Sequence, residues 1–500
     1  MRAPSLFAAL AGLALLGAGS LAAGQAPPPP VLLAGKPFPA KSDYGARLPA
    51  PRRTLYVAAG GRRGGRGTQG KPWNDLQVAL RALRPGDRLV VGSGAYPGAF
   101  RIDESCKDGE ATLPIQVVGE GNPVLGPGAA APVLTIARAF WQIQAITVAA
   151  GPKESSSILL AGMLAHDLLL DRVHLNGGRG PGIDIGTGVR NVTVSNSSIH
   201  HLQGGGPTQS HGIAVDSRVV ELRILGNDIH HNEGSGVFVA GPRGKGKGMK
   251  SFIESLTIAG NTIHGNGMHG VKIRGGSRAV RITDNRFWNQ RPSRNSRGAA
   301  ILLYPNVRDS FIEGNHVADS SIGIHLGTTE PGTGVANPGP RNIAITRNYV
   351  ECRSVFQSVG LSMNSGQQVR VQNNVIDGCT RGLELMAQPP GEGFSIANNL
   401  ILSASDLAFS VSSETPVEYF GHNVFGYTDR RPQAQITGDR RDLSALVSRH
   451  RMEESRAEKG IRLVGRDLAR VEGGTLVDRG KRLGPAKFRG KAPDVGIADQ

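Results

Sequence analysis

The sequence predicts an all-β solenoid of short, stacked parallel strands, and three observations predict it. The first is composition: 70 of 500 residues are glycine, while charged residues make up 19% and aromatics 5%, which suits many short strands separated by tight turns. The second is a recurring pattern of an apolar residue, two variable residues, Asn, one variable residue and an apolar residue. The third is a strand-like pattern that follows most copies of it, Gly-apolar-variable-apolar. Glycine without a Gly-X-Y period excludes collagen, and 39% hydrophobic residues exclude a fully disordered chain.

The chain opens with Met1-Arg2, an apolar run from about Leu6 to Leu16 and small residues at Gly19, Ser20, Ala22 and Ala23. A positive start, a short apolar core and a small-residue cleavage region read as a secretory signal peptide over residues 1–23. The run is too short for a good membrane span, and no second apolar stretch of spanning length follows. The expectation is an exported protein, periplasmic or extracellular, without a membrane span. Residues 24–53, with Pro27-Pro28-Pro29-Pro30, read as a Pro-rich linker.

The repeats come next. Ile224-Leu-Gly-Asn227-Asp-Ile229, Ile258-Ala-Gly-Asn261-Thr-Ile263 and Ile282-Thr-Asp-Asn285-Arg-Phe287 share one pattern, which continues around Asn315, Asn348, Asn374, Asn399 and Asn423. Upstream, Ser197 and Asp171 hold the same place. The spacing averages about 28 residues, the range of solenoid repeats. Gly212-Ile-Ala-Val215, Gly236-Val-Phe-Val239, Gly270-Val-Lys-Ile273 and Gly323-Ile-His-Leu326 are examples of the second strand. Period-two alternation inside such a repeat means short strands stacked coil on coil, with equivalent residues about 4.8 Å apart. Each repeated Asn is then placed to hydrogen-bond its counterparts above and below. Three cysteines, Cys106, Cys352 and Cys379, are too few for a disulfide scaffold. Cys352 and Cys379 lie one repeat apart, so they are either a disulfide between adjacent coils or two small buried side chains.

The N-terminal piece carries its own signature: Tyr56-Val57, a glycine-rich stretch to Gly67-Thr68, Lys71-Pro72-Trp73, the amphipathic segment Leu76 to Leu80, then Pro85-Gly86-Asp87, Leu89-Val90-Val91 and Gly94-Ala95-Tyr96. It resembles the cap and first coil of right-handed parallel β-helix proteins of the pectate-lyase-like superfamily. The tail resembles theirs as well, with a helical stretch near Leu443 to His450 ahead of Ile461-Arg-Leu463 and Asp494-Val-Gly496. The resemblance implies a single-stranded right-handed parallel β-helix of about 10–12 coils with an N-terminal helical cap. Its cap and first coil would span 54–110, its coils 111–425, and a basic C-terminal extension or cap 426–500. It is specific for fold and weak for function, because the superfamily includes polysaccharide lyases, uronan epimerases, glycosidases, esterases and non-enzymatic surface proteins.

Stacking turns sequence columns into surfaces. On the strand after each Gly, the middle residue and the one two further on point outward. With the position before the Gly, these columns gather His211, Asp216, His269, Lys272, Arg274, Tyr304 and His325 on about five coils, and Arg297 lies close by in sequence. Within the coils the positive charge is concentrated here, since residues 241–300 hold twelve Lys or Arg against Glu254 and Asp284, while the rest of the +17 is carried by the two terminal regions. Two basic loops, with Lys245 and Lys247 in one and Arg294 and Arg297 in the other, flank the Lys272 strand as walls of a polyanion groove. Export makes acidic polysaccharide the expected partner rather than nucleic acid, for a monomeric protein. Asp184 and Asp216, near-diagonal on adjacent coils, are the candidate Ca²⁺ ligands; no other cofactor is expected. His200, His230 and His264 hold one register, with His201 and His231 beside two of them. The sequence displays no convergent carboxylate to complete a zinc set, so these histidines read as turn-closing residues.

The leading expectation is β-elimination on a uronic-acid polymer. Lys272 is the expected base, its pKa lowered by Arg274 and the basic loops. Arg274 or Arg297 would hold the carboxylate, Tyr304 or His269 would be the acid, and His211, His325, Arg294, Lys245 and Lys247 would bind substrate. The alternatives are a non-catalytic polysaccharide- or protein-binding β-helix and a uronan C5-epimerase. The Asp-Pro-His-Asp signature of alginate epimerases is missing, and no paired carboxylates suit a glycosidase.

Overall fold

The computed structural model describes residues 48–61, 64–127, 132–151, 156–203, 210–240, 253–290, 298–327, 339–386, 393–411, 417–427, 433–436, 439–442, 455–459, 462–464 and 467–472. The signal-peptide segment, most of the linker, the two basic loops and the Leu443–His450 stretch lie outside them. The described residues form two compact units. The N-terminal unit comprises those from 48 to 280 together with Gln290, and the C-terminal unit those from 281 to 289 and from 298 onward.

Each coil lays down three strands, as in Val220–Leu225, Asp228–His230 and Val237–Val239. In the N-terminal unit the first strands stack into a parallel sheet from Arg53–Val57 to Ile253–Ala259, the second from Gly94–Tyr96 to Thr262–His264, and the third from Phe100–Ile102 to Val271–Ile273. Inward residues alternate with outward ones, so Val192, Val194, Ile199 and Ile213 are wholly buried. Each such side chain contributes about 1.5–3 kcal/mol of burial. The expected cap is present: Asp75 accepts the Val78 amide (3.0 Å) to start the helix Leu76–Ala82, which buries Leu76, Ala79 and Leu80.

The C-terminal unit repeats the plan. Its first sheet runs from Arg308–Glu313 to Val417–Gly421, its second from Arg286–Trp288 to Arg456–Lys459, and its third from Ala299–Leu303 to Gln433–Ile436, where Asp439–Asp442 adds an antiparallel strand.

The early coil of Ile115–Gly119 uses three residues before its second strand, Pro123–Leu125. From the coil of Trp141–Gln144 to that of Val417–Gly421, two residues join the first strand to the second, as in Leu225 to Asp228 and Thr346 to Tyr349. The first of the two is left-handed: Gly226 (φ 61°), Asp284 (φ 55°) and Arg347 (φ 53°) are examples. From Asn227 onward the second is the repeated Asn, buried and bonded along the stack as its periodicity predicts. Upstream the place is held by Ser197 and then Val173, because the register sets Asp171 beside Ser195 rather than Ser197. Side-chain amides link Asn285, Asn315, Asn348, Asn374, Asn399 and Asn423 in order at 2.9–3.0 Å. In the N-terminal unit Asn227 donates to Asn261 (2.9 Å), and a second ladder joins Asn232, Asn266 and Gln290. A disulfide joins Cys352 and Cys379 on successive coils of the C-terminal unit, and Cys106 is a buried free thiol.

Candidate functional site

The third sheet of the N-terminal unit carries the predicted columns. Its register aligns Asp184, Ala214, Phe238 and Lys272 on four successive coils, with neighbouring Ile and Val side chains pointing inward. Phe238 organises this face. The His211 ring stacks on it with centroids 4.3 Å apart and planes 24° apart. The Lys272 Nζ lies 5.8 Å and the Arg274 guanidinium carbon 6.0 Å from the Phe238 centroid, within reach of cation–π attraction. The Ser235 amide donates to His211 Nδ1 (2.9 Å), so the neutral His211 imidazole carries its proton on Nε2. The result is an aromatic ring with two cations and one oriented imidazole around it.

His211 and His269 are buried at the strand-entry position rather than displayed like Lys272. The two carboxylates proposed for Ca²⁺ are each engaged locally: Asp184 accepts from Ser156 Oγ (3.1 Å), and Asp216 from Thr187 Oγ1 (3.0 Å) and the Ser217 amide (2.8 Å).

In the C-terminal unit His325 lies on the third sheet and Tyr304 directly follows the strand Ala299–Leu303, and both approach Gly327. A Cβ at Gly327 would stand 3.5 Å from His325 Nε2 and 3.6 Å from Tyr304 Cδ1. The Tyr304 ring packs against Ala299, Leu302, Ile322 and Val359. His325 Nδ1 donates to the Ser362 carbonyl (3.1 Å), and burial holds the imidazole below its ordinary pKa, so it is neutral at pH 7. Further along the same face Arg381 binds Glu384 (2.6 Å) and Asp406 (3.4 Å). Arg294, Arg297, Lys245 and Lys247 lie outside the described residues.

Sequence reasoning missed two features. Phe238 occupies the same outward column as Lys272 but has no place among the expected site residues; an aromatic at an outward solenoid position was its signal. The second is a correction on the histidines. Their rings stack as the register predicts, His200 on His230 and His230 on His264 at 4.7 Å each, and His201 on His231 at 5.4 Å. A carboxylate does converge on them, however: Asp228 Oδ1 lies 3.5 Å from His264 Nε2. It escaped notice because it comes from the preceding coil and reaches His264 diagonally. Burial, opposed by Asp228 and reinforced by the adjacent histidines, pushes His230 down to about 4.

The geometry meets known proteins at the level of fold. The family described as "Right handed beta helix region" matches residues 209–401. An alginate lyase of the PL6 family, AlyGC, superposes with a TM-score of 0.50 at 14% identity, over 82% of this chain and 54% of that one. This chain therefore spans about half the length of that lyase. A pectate lyase aligns with 90% of this chain and 97% of its own at 15% identity and a TM-score of 0.41. An alginate lyase from Paenibacillus sp. str. FPU-7 aligns with 68% of this chain and 97% of its own at 16% identity and a TM-score of 0.41. No curated protein matches the sequence. The class these observations define is the right-handed parallel β-helix of the pectate-lyase-like fold. Among the described residues, no helix is long and apolar enough to cross a membrane.

Proposed function

We propose that the chain is an exported protein that acts on an acidic, uronic-acid-containing polysaccharide, by β-elimination on the third-sheet face of its N-terminal unit. The observation that carries this reading is the Phe238 ring bordered by His211, Lys272 and Arg274. A pyranose presents C–H bonds to an aromatic face, and a uronate adds a carboxylate that a nearby cation attracts. In β-elimination a base removes the proton at C5, the electron pair forms the C4–C5 double bond, and the C4–O bond breaks as the leaving oxygen takes a proton. Neutralising the carboxylate makes the carbanion-like state accessible. Arg274 holds the carboxylate, the Lys272 amine in its neutral form takes the C5 proton, and the leaving oxygen takes its proton from water. The fold shared with an alginate lyase accords with this reading, as does a disulfide, which suits an oxidising compartment.

The test is incubation with alginate, pectate, heparinoid and chondroitin-type polymers while following the ultraviolet absorbance of unsaturated uronate. One polymer is expected to give absorbance, and Lys272→Ala to abolish it while binding persists. Undiminished turnover in that variant removes Lys272 from the mechanism. Affinity without absorbance makes the chain a binding protein, unless proton exchange at C5 reveals epimerisation.

A further inference from the structure

The second sheet of the N-terminal unit carries a cluster that the polysaccharide reading leaves unused. Period-two alternation places Asp228 and His230 on the outward face of one strand, with Ile229 buried between them. The register sets His264 of the next coil beside His230, and the stacked rings hold that neighbour relation. Asp228 closes the third side through its diagonal approach to His264 Nε2. One ligand atom from each of Asp228, His230 and His264 lies within 4.8 Å of the other two. Tetrahedral zinc with bonds of about 2.0–2.1 Å needs ligand atoms about 3.3 Å apart, which small side-chain rotations reach from here.

The residue types narrow the ligand. Two imidazoles and one carboxylate suit Zn²⁺ and its first-row neighbours, not Ca²⁺ or Mg²⁺, which prefer all-oxygen shells. The coil sequence narrows the place. The position of Asp228 is Ser198 on the coil before and Thr262 on the coil after. Along this column the histidine stack therefore meets a carboxylate at one level. We infer that Asp228, His230 and His264 form a binding site for one divalent transition-metal ion of the zinc type, with a fourth position left to water or an outside ligand.

Zn²⁺ alone is the probe, added to the full chain after chelator treatment and desalting. The expected result is one retained ion per chain by elemental analysis and a thermal midpoint that rises with Zn²⁺. Asp228→Asn and His264→Gln, with circular dichroism matching the wild type, are each expected to weaken binding at least about tenfold. Failure of the wild-type chain to retain Zn²⁺ overturns the inference, and so does wild-type affinity in either variant. Should the variants fold poorly, imidazole ¹⁵N resonances of the wild-type chain decide. Those of His230 and His264 must shift on zinc addition, and unmoved resonances overturn the site.

Discussion

Asn348 illustrates how much of the fold rests on single side chains. Its Oδ1 accepts both the backbone and the side-chain amide of Asn315, each at 3.0 Å. Its Nδ2 is shared among the Ile312 carbonyl (2.9 Å), the Thr346 carbonyl (3.0 Å) and Asn374 Oδ1 (3.0 Å). Asn348→Ala strands buried donors and acceptors at about 1–3 kcal/mol per group. A loss of roughly 3 kcal/mol in urea unfolding is expected, and a loss below about 0.5 kcal/mol would show that water replaces the ladder. Asp284, in the left-handed turn before Asn285, keeps part of its surface accessible but is densely surrounded by protein. Burial, opposed by Arg347, pushes its carboxyl up to about 6 from 3.8. The folded state thus favours the neutral acid: the stabilisation is full below pH 3.8 and is lost as pH rises through about 6. The thermal midpoint of the wild-type chain should therefore fall relative to Asp284→Asn between those values and run parallel above them. A constant difference throughout would refute the shift.

At the scale of the strand, the columns were legible because the repeat is regular. The Gly-apolar-variable-apolar pattern assigns Phe238 and Lys272 to one outward column, and the register confirms it. What the columns did not reveal is how long side chains lean between coils: Arg274 sits two residues beyond Lys272, yet both cations border one ring. Asp228 was hidden for the same reason, since its carboxylate meets a histidine in another column and on another coil. Nor does a column say which compact unit a residue joins, and Tyr304 and His325 fall in the C-terminal one. Phe238→Ala tests the ring itself. It is expected to weaken polysaccharide binding about tenfold, or 1.4 kcal/mol, through loss of stacking and of the surface that orients both cations. Unchanged affinity would move the binding face elsewhere.

For the whole molecule, the fold was readable from sequence because a solenoid writes its architecture once per coil, and about ten imperfect copies outvote local exceptions. The ligand was not, because it depends on differences between coils rather than on what they share. Net charge is the one whole-chain property that bears on it. With a formal charge of +17, affinity for an acidic polymer should drop steeply as salt rises and the Debye length shrinks from about 10 Å at 0.1 M to about 3 Å at 1 M. A titration at the two salt levels checks this, and salt-independent binding would point to a neutral glycan. The two-residue turn that precedes the second strand in the asparagine-bearing coils has a separate consequence. Successive asparagines are 30, 33, 26, 25 and 24 residues apart from Asn285 to Asn423, yet that turn never changes length. It works as a ratchet tooth: each coil clicks into the one below at this tooth, whatever peptide has been spliced in elsewhere around the circumference. New loops, and with them new recognition surfaces, can therefore be acquired coil by coil without disturbing those already in place.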